Sequence, residues 1–525
     1  MALNSTLLTV RWDPLRGRIV RAAQRMWRAL FGARPARRAV LAALFGAAAC
    51  IGVVALNAPP GPGLDPDSMS YLGAAGSLAR HGSLRIPMAD WSDPDSTTAL
   101  RHFPPGYPTL LALPIALGAP PEQAARGVEA AAAFVTVFLA VWTVAAVAGT
   151  GAGAVAGAAL SVTPALVLDH ARVLSEPLCL ALLAATLALM VFSKRPFWYG
   201  LTAAAAGLVR YAAVPFGGAT VLWAFGLHGS LRERSRRALA PAILSAAVML
   251  YSVLVPGSAV SPHFDLGPTL RELGDTLVAW LAPSAPAGIV GALLALVVAG
   301  AAAAVLRGAL SSGAEPEQSP PLRSLLSAAG LLGTCYAAFV FVSRVLVYDN
   351  IPFDDRMLSP AILLAEFATA AALGAAWRGW ARRARVAGAL AAAIWLAGST
   401  WATVRSVRDA RDGGWGYASD DWRDSGLAAW LRTEGRGVEI FSNDPAAVYF
   451  ATHRPSRELP AELGPDVLRD FARVMGARPA VIVGFGSYYD RMTSPDSLAG
   501  KLGYRKVAEF EDGTVWAGGR LLLGH

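Results

Sequence analysis

The chain has 525 residues, of which 54% are hydrophobic and only 16% charged, with a mean hydropathy of +0.44. A soluble globular chain carries about 25% charged residues, so a cytosolic enzyme, a disulfide-built secreted domain and a disordered chain are all excluded. Uncharged runs on the order of 18 residues, enough to cross a hydrocarbon core of roughly 30 Å, recur along the sequence and describe a polytopic membrane protein.

The net charge of +9 does not point to nucleic acid. Lys194, Lys501 and Lys506 are the only lysines, and nine arginines fall in residues 1–38 against Asp13 alone. An arginine-rich flank before a first apolar run predicts a basic cytoplasmic N-terminal segment over 1–38. Its length, and the spans that follow, argue against a cleaved signal peptide. Cys50, Cys179 and Cys335 lie in apolar segments and read as small core residues rather than a disulfide or metal set.

Apolar runs bounded by arginine clusters predict about eleven spans, at 39–57, 124–149, 151–168, 175–193, 197–209, 212–227, 238–256, 283–306, 325–347, 357–377 and 386–405. With the N-terminus inside, the basic stretches Lys194–Arg195, Arg232–Arg237, Arg307–Arg323 and Arg378–Arg385 all fall in the cytoplasm. The fold class is therefore mainly α, with a transmembrane domain over 39–405 that carries a large outer loop at 58–123. Within that loop Asp67–His81 reads as an amphipathic stretch closed by Gly82, and Gly106–Leu117 as an interfacial segment too short to span. The polar stretch Ser311–Pro321 is a cytoplasmic loop without catalytic signature.

Residues 406–525 are richer in charge and predict a small extracytoplasmic α/β domain. Gly437–Phe441 and Pro479–Phe485 read as buried strands, Pro465–Met475 as a helix, and Arg505–Trp516 as a hairpin turning at Asp512-Gly513.

Ionisable residues at membrane depth or at its edge are costly and mark function by default. On the outer side these are Asp65, Asp67, His102, Asp169, His170, Arg172, Glu176, Arg210, Arg344, Asp354, Asp355 and Arg356. Carboxylates for base or metal work together with guanidinium groups for a phosphate equip a site for group transfer from a phosphorylated donor. Asp65 also reads as a helix N-cap before Pro66, and Asp67 as a complement to the helix dipole or, at the head of the loop, as the catalytic base. His102-Phe-Pro-Pro-Gly-Tyr-Pro108 forms a rigid turn, with His102 either exposed or facing the carboxylates as a metal ligand or substrate contact. Ser175 with Glu176 and Pro177 can start a helix, yet a carboxylate there must face the protein interior or water. Arg210, between two short spans, is hard to explain by solvation alone, and a phosphate partner would explain it. Arg356 reads similarly, unless Asp354 or Asp355 pairs with it.

These motifs resemble those of the GT-C membrane glycosyltransferases. The likeness is to the bacterial glycosyltransferase family 39 group of protein O-mannosyltransferases, aminoarabinose transferases of lipid A and galacturonosyltransferases. The resemblance is carried by Asp67-Ser-Met-Ser-Tyr71, Phe103-Pro-Pro-Gly-Tyr-Pro108, Arg172-Val-Leu-Ser-Glu-Pro177, Leu208-Val-Arg-Tyr211 and Asp355-Arg-Met-Leu-Ser-Pro360, in order between spans. It extends to Ser442-Asn-Asp-Pro445 and to Arg454 through Pro460. It implies transfer of a sugar from a polyprenyl phosphate, with inversion, at the outer face of a bacterial cytoplasmic membrane.

By matching position, Asp67 and Glu176 are implied as catalytic. Asp65, Tyr71, His102, Arg172, Arg210 and Arg356 are implied as substrate-binding, the two last holding the lipid phosphate. A divalent metal ion is implied as cofactor, on Asp67, His102 and Glu176. The sequence departs from the family where Glu176 replaces an Asp of some members and where no acidic residue immediately precedes Pro104. The implied partners are the polyprenyl-phosphate sugar, a lipid, glycan or protein acceptor, and membrane lipids, with no nucleic acid. A transporter or flippase of lipid-linked sugars would use similar charges to line a pathway, although no inverted repeat is visible. A non-catalytic assembly protein and a ligase moving a whole glycan are the other readings.

Overall fold

A computed structural model describes residues 36–58, 61–254, 266–281, 321–346, 351–377, 379–486 and 493–518. The span expected at 283–306, the loop Ser311–Pro320 and most of the basic segment 1–38 lie outside the described residues.

Among the described residues the membrane part is built mainly of helices. Its elements are α1 (Ala36–Leu56), α2 (Pro66–His81), α3 (Gly106–Ala116), α4 (Pro121–Ala148), α5 (Thr150–Val162), α6 (Pro164–Asp169) and α7 (Glu176–Phe192). They continue as α8 (Pro196–Val209), α9 (Val214–Gly226), α10 (Leu231–Leu254), α11 (Leu266–Leu281), α12 (Pro321–Leu346), α13 (Asp355–Ala376) and α14 (Arg382–Asp412). Six of these, namely α1, α4, α10, α12, α13 and α14, are long and apolar enough to cross a membrane. Shorter apolar helices, α3, α5, α7 and α9, accompany them. The chain is thus a mainly α, polytopic membrane protein.

The expected single span 151–168 is two helices. Thr163 is extended, with φ −75° and ψ 116°, as a residue before proline prefers, and Pro164 opens the next helix. The Thr163 hydroxyl is hydrogen-bonded to the Glu366 carboxylate of α13 and lies 2.9 Å from the Ala159 carbonyl, so the break is tied into the bundle. Helix α11 was not foreseen. Its Leu273, Leu277 and Trp280 pack on the core of the bundle.

The loop between α2 and α3 carries β1 (Arg85–Ile86), β2 (Met88–Ala89) and β3 (Thr98–Ala99), and in the tail β4 (Glu439–Ser442), β5 (Ser456–Glu458), β6 (Ala480–Phe485), β7 (Arg505–Phe510) and β8 (Gly513–Ala517) form one sheet. Its sixth strand is Met88–Ala89, contributed by the loop between α2 and α3, which pairs in parallel with β5 at one edge. The order is Met88–Ala89, β5, β4, β6, β8, β7, parallel as far as β6 and antiparallel beyond it. Alternate residues of the strands face opposite sides. Phe441, Ile482 and Trp516 pack with Phe471 and Leu498 on one side. Ile440, Val481 and Val515 join Leu427, Leu431 and Val448 on the other, in a core continuous with that of the helical bundle.

Arg457 of β5 fastens the loop strand in place. Its side chain is 4% exposed, donates to Glu439 at 2.6 Å, and reaches the carbonyls of Asp93 and Pro94, the latter at 3.3 Å.

Candidate active site

Three distant segments meet at Gly63-Leu64. Gly63 N–H donates to the Ala171 carbonyl at 2.8 Å and its own carbonyl accepts from Val173 N–H at 3.0 Å. On the other side Leu64 N–H donates to Trp415 O at 3.3 Å, and Leu64 O accepts from Tyr417 N–H at 2.8 Å. Gly416, with φ +58°, makes this approach feasible, since a Cβ there would lie 2.2 Å from Leu64 O. The start of α2, the segment before α7 and the head of the tail are thereby held in one frame.

Asp65 N–H donates to the Ser68 hydroxyl at 2.9 Å, and that hydroxyl donates to Val173 O at 2.8 Å. These bonds start α2 and aim Asp67 across the frame. Glu176 opens α7, Arg210 ends α8, and Arg356 lies in the first turn of α13.

These four side chains form the centre of the site. Arg356 Nε lies 2.7 Å from Glu176 Oε1, and its Nη2 lies 3.0 Å from Asp67 Oδ2. Arg210 Nη1 reaches the same Glu176 oxygen at 2.6 Å. The Glu176 side chain is 1% exposed and serves both guanidinium groups, while Asp67 is 32% exposed. Asp67 is therefore the more accessible of the two carboxylates, and Glu176 is the buried one that holds both arginines. Asp354 does not pair with Arg356; its Oδ1 accepts from Met357 N–H at 2.9 Å and caps α13.

The other expected residues surround this centre at varying distance. Tyr71 is buried, and its hydroxyl donates to Ser175 Oγ at 3.2 Å, which donates onward to Glu176 Oε2 at 3.3 Å. Burial, with the charges of Asp67 and Glu176, pushes the Tyr71 phenol well up, so it stays a neutral donor. Arg172 Nη1 lies 3.6 Å from Asp65 Oδ2 and its guanidinium stacks on Trp415 at 4.1 Å. Burial pushes the Asp65 carboxyl upward against the pull of Arg172.

The proline-rich turn packs against α8, where a Cβ on Gly106 would lie 2.6 Å from Leu208 O, next to Arg210. Its Phe103 and Tyr107 rings lie 4.8 Å and 5.0 Å from the Tyr71 ring. The Tyr107 hydroxyl donates to the buried Glu129. His102 is exposed, its ring against the far side of this cluster, 4.8 Å from Phe103.

The metal set expected on Asp67, His102 and Glu176 does not fit this arrangement. Guanidinium groups already occupy the inner faces of both carboxylates, and His102 faces solvent. Among the described residues no group of three or more His, Cys, Asp or Glu side chains is placed to hold an ion.

Glu272 and Trp415 were missed by the sequence reading. Glu272 of α11 binds Arg344 at 2.6 Å and accepts from Phe353 N–H at 2.8 Å, holding the approach to Arg356. Neither position carries a signal in a local sequence pattern.

No protein-family model matches the chain, and no curated protein matches it significantly. Among solved structures, ArnT from Cupriavidus metallidurans bound to undecaprenyl phosphate aligns at 15% identity and a TM-score of 0.48, over 92% of this chain and 98% of that one. The same protein in the apo state aligns at 14% and 0.49, with the same coverage. The archaeal oligosaccharyltransferase AglB from Archaeoglobus fulgidus, in complex with an inhibitory peptide and a dolichol-phosphate, aligns at 12% and 0.46, over 84% of this chain and 69% of that one.

Proposed function

We propose that the chain is an inverting membrane glycosyltransferase. It moves a sugar from a polyprenyl-phosphate donor to an acceptor hydroxyl at the outer face of the cytoplasmic membrane. The observation that carries this reading is Arg356 joining Asp67 to Glu176, with Arg210 on the same Glu176 oxygen. Motif likeness to the GT-C glycosyltransferases supports it further.

Asp67 Oδ2 is held by Arg356, while no hydrogen bond to Oδ1 is described. That oxygen takes the proton of the acceptor hydroxyl as the hydroxyl attacks the anomeric carbon, opposite the leaving phosphate. Electrons of the glycosidic bond pass to the phosphate oxygen, which departs on its lipid. Arg356 and Arg210 keep N–H groups beyond those used on the carboxylates. Fixed in a largely dry setting, these stabilise the charge growing on the phosphate. Glu176 holds both guanidinium groups in place before the donor arrives, so little reorganisation is needed.

Single turnover tests the reading, using radiolabelled polyprenyl-phosphate sugars and an envelope extract as acceptor, for wild type and Asp67→Asn. Label moves to the acceptor with wild type and not with the variant. Equal transfer by both removes the assignment of Asp67. Passage of label across a sealed vesicle without transfer makes the protein a flippase.

A further inference from the structure

Beside the site, and separate from its four central charges, a cavity of about 490 Å³ runs between α1, α4, α5 and α14. Its wall is mostly apolar, with Gly52, Val53, Val137, Leu160 and Val407 among the lining residues. The volume falls within the range of small-ligand pockets, roughly 300–1,000 Å³. Along α1 it extends from Leu56 to Ala48, and along α14 from Arg411 to Thr403. At 1.5 Å per residue each stretch is about 12 Å, close to the depth of one leaflet.

The polar groups on this cavity are not spent on the protein. Arg408 and Arg411, both exposed, line it at the site end of α14, and neither has a carboxylate partner among the described residues. Asp409 and Asp412 share that end of the helix but do not line the cavity. His170, 6% exposed, lines it as well. Its Nδ1 lies 2.6 Å from the Leu166 carbonyl, so Nδ1 carries the proton and Nε2 offers a lone pair. Nε2 is buried and has no partner. Burial lowers the imidazole to about 4, which keeps it neutral near pH 7. Deeper in, the Thr136 hydroxyl is also buried without a partner.

We propose that this cavity binds one anionic glycerophospholipid, with an acyl chain between α1, α4 and α14, its phosphate on Arg408 and Arg411, and a headgroup hydroxyl on His170 Nε2. The two guanidinium groups select negative charge, and the unprotonated imidazole nitrogen selects an O–H donor. Phosphatidylglycerol has both features. Phosphatidylcholine has neither, and phosphatidylmethanol has the charge without the hydroxyl.

The experiment measures lipid retained by the full-length protein in detergent, by native mass spectrometry, after exposure to each of these lipids and to polyprenyl phosphate. One phosphatidylglycerol is retained per chain, with phosphatidylcholine held roughly tenfold less and phosphatidylmethanol in between. In Arg408→Gln/Arg411→Gln the preference for phosphatidylglycerol over phosphatidylcholine disappears. Gly52→Phe fills the cavity and abolishes retention; a Cβ at Gly52 meets nothing within 4 Å, so the helix accepts it. If Gly52→Phe fails to fold, the two exposed arginines decide the matter. Equal retention of phosphatidylcholine, or unchanged retention in a folded Gly52→Phe, overturns the proposal. Preferential retention of polyprenyl phosphate overturns it too, by giving the cavity to the transfer reaction. None of these readings requires sugar transfer to occur.

Discussion

Arg356 Nη2 lies 3.0 Å from Asp67 Oδ2, across 289 positions of sequence. The same guanidinium binds Glu176 through Nε, so one side chain from α13 sets the spacing of two carboxylates that begin α2 and α7. Removing it as Arg356→Gln leaves Glu176 with Arg210 alone and frees Asp67. The expected outcome is a fall in kcat of about 10²–10³, the loss typical of one preorganised donor. Arg356→Lys does not restore it, since a point charge cannot make both bonds. Single-turnover rates for the two variants check this, with thermal unfolding as the control for folding.

Tyr71 reaches Glu176 only indirectly, through Ser175 Oγ. Tyr71→Phe deletes one neutral hydrogen bond and keeps the ring packed against Phe103 and Tyr107. A net bond of this kind is worth about 1 kcal/mol, so transfer slows roughly fivefold. A loss as large as that of Arg356→Gln would mean that Tyr71 touches the substrate.

Gly416→Ala places a methyl group against Leu64 O from a left-handed backbone position. The strand-like contact of Leu64 with residues 415–417 then opens, and Arg172 loses its place on Trp415. The expected cost is about 1–3 kcal/mol, with reduced transfer although no charged residue has changed. Melting temperature and transfer rate fall together in this variant.

Glu458 gives a pH test in the tail. Burial, then Asp90 and Asp93, raise its carboxyl above the ordinary glutamate value of 4.5. The folded state therefore binds this proton more tightly than the unfolded chain does. Its contribution to stability is fully present below the unfolded value and is lost as pH rises through the folded one. Glu458→Gln removes that loss, so the variant melts higher than wild type at pH 7.5, and the gap closes by pH 4. A gap that widens in acid would reverse the assigned sign.

Arg457→Met tests the clamp on the loop strand. It leaves Glu439 without its buried partner and the carbonyls of Asp93 and Pro94 without a donor. A loss of about 3 kcal/mol is expected, with proteolytic cleavage appearing first between residues 88 and 99.

Charge set against an apolar background made Asp67, Glu176, Arg210 and Arg356 visible in the sequence, because such residues are conspicuous whatever they contact. Their pairing was not visible. A sequence offers Asp354 and Asp355 as the nearest partners for Arg356, whereas the start of α13 turns Asp354 inward to cap the helix. The hairpin at Asp512-Gly513 and the buried strand 480–485 were legible from turn chemistry and apolar runs. Met88–Ala89 was not, since two residues carry no period and the pairing is supplied entirely by β5. Glu272 was hidden for a different reason: α11 mixes charged and apolar residues along a short helix, and its role depends on Arg344 and Phe353, far along the chain.

The strand Met88–Ala89 makes the tail and the loop before α3 a single heritable unit. A tail grafted from another sequence would arrive with a sheet edge shaped for a different loop, and the host loop would find no register to join. Exchange of the tail would therefore have to move residues 84–99 along with 413–518. Simple truncation of the tail would likewise strip one wall from Gly63-Leu64 and disturb Asp67 from a distance.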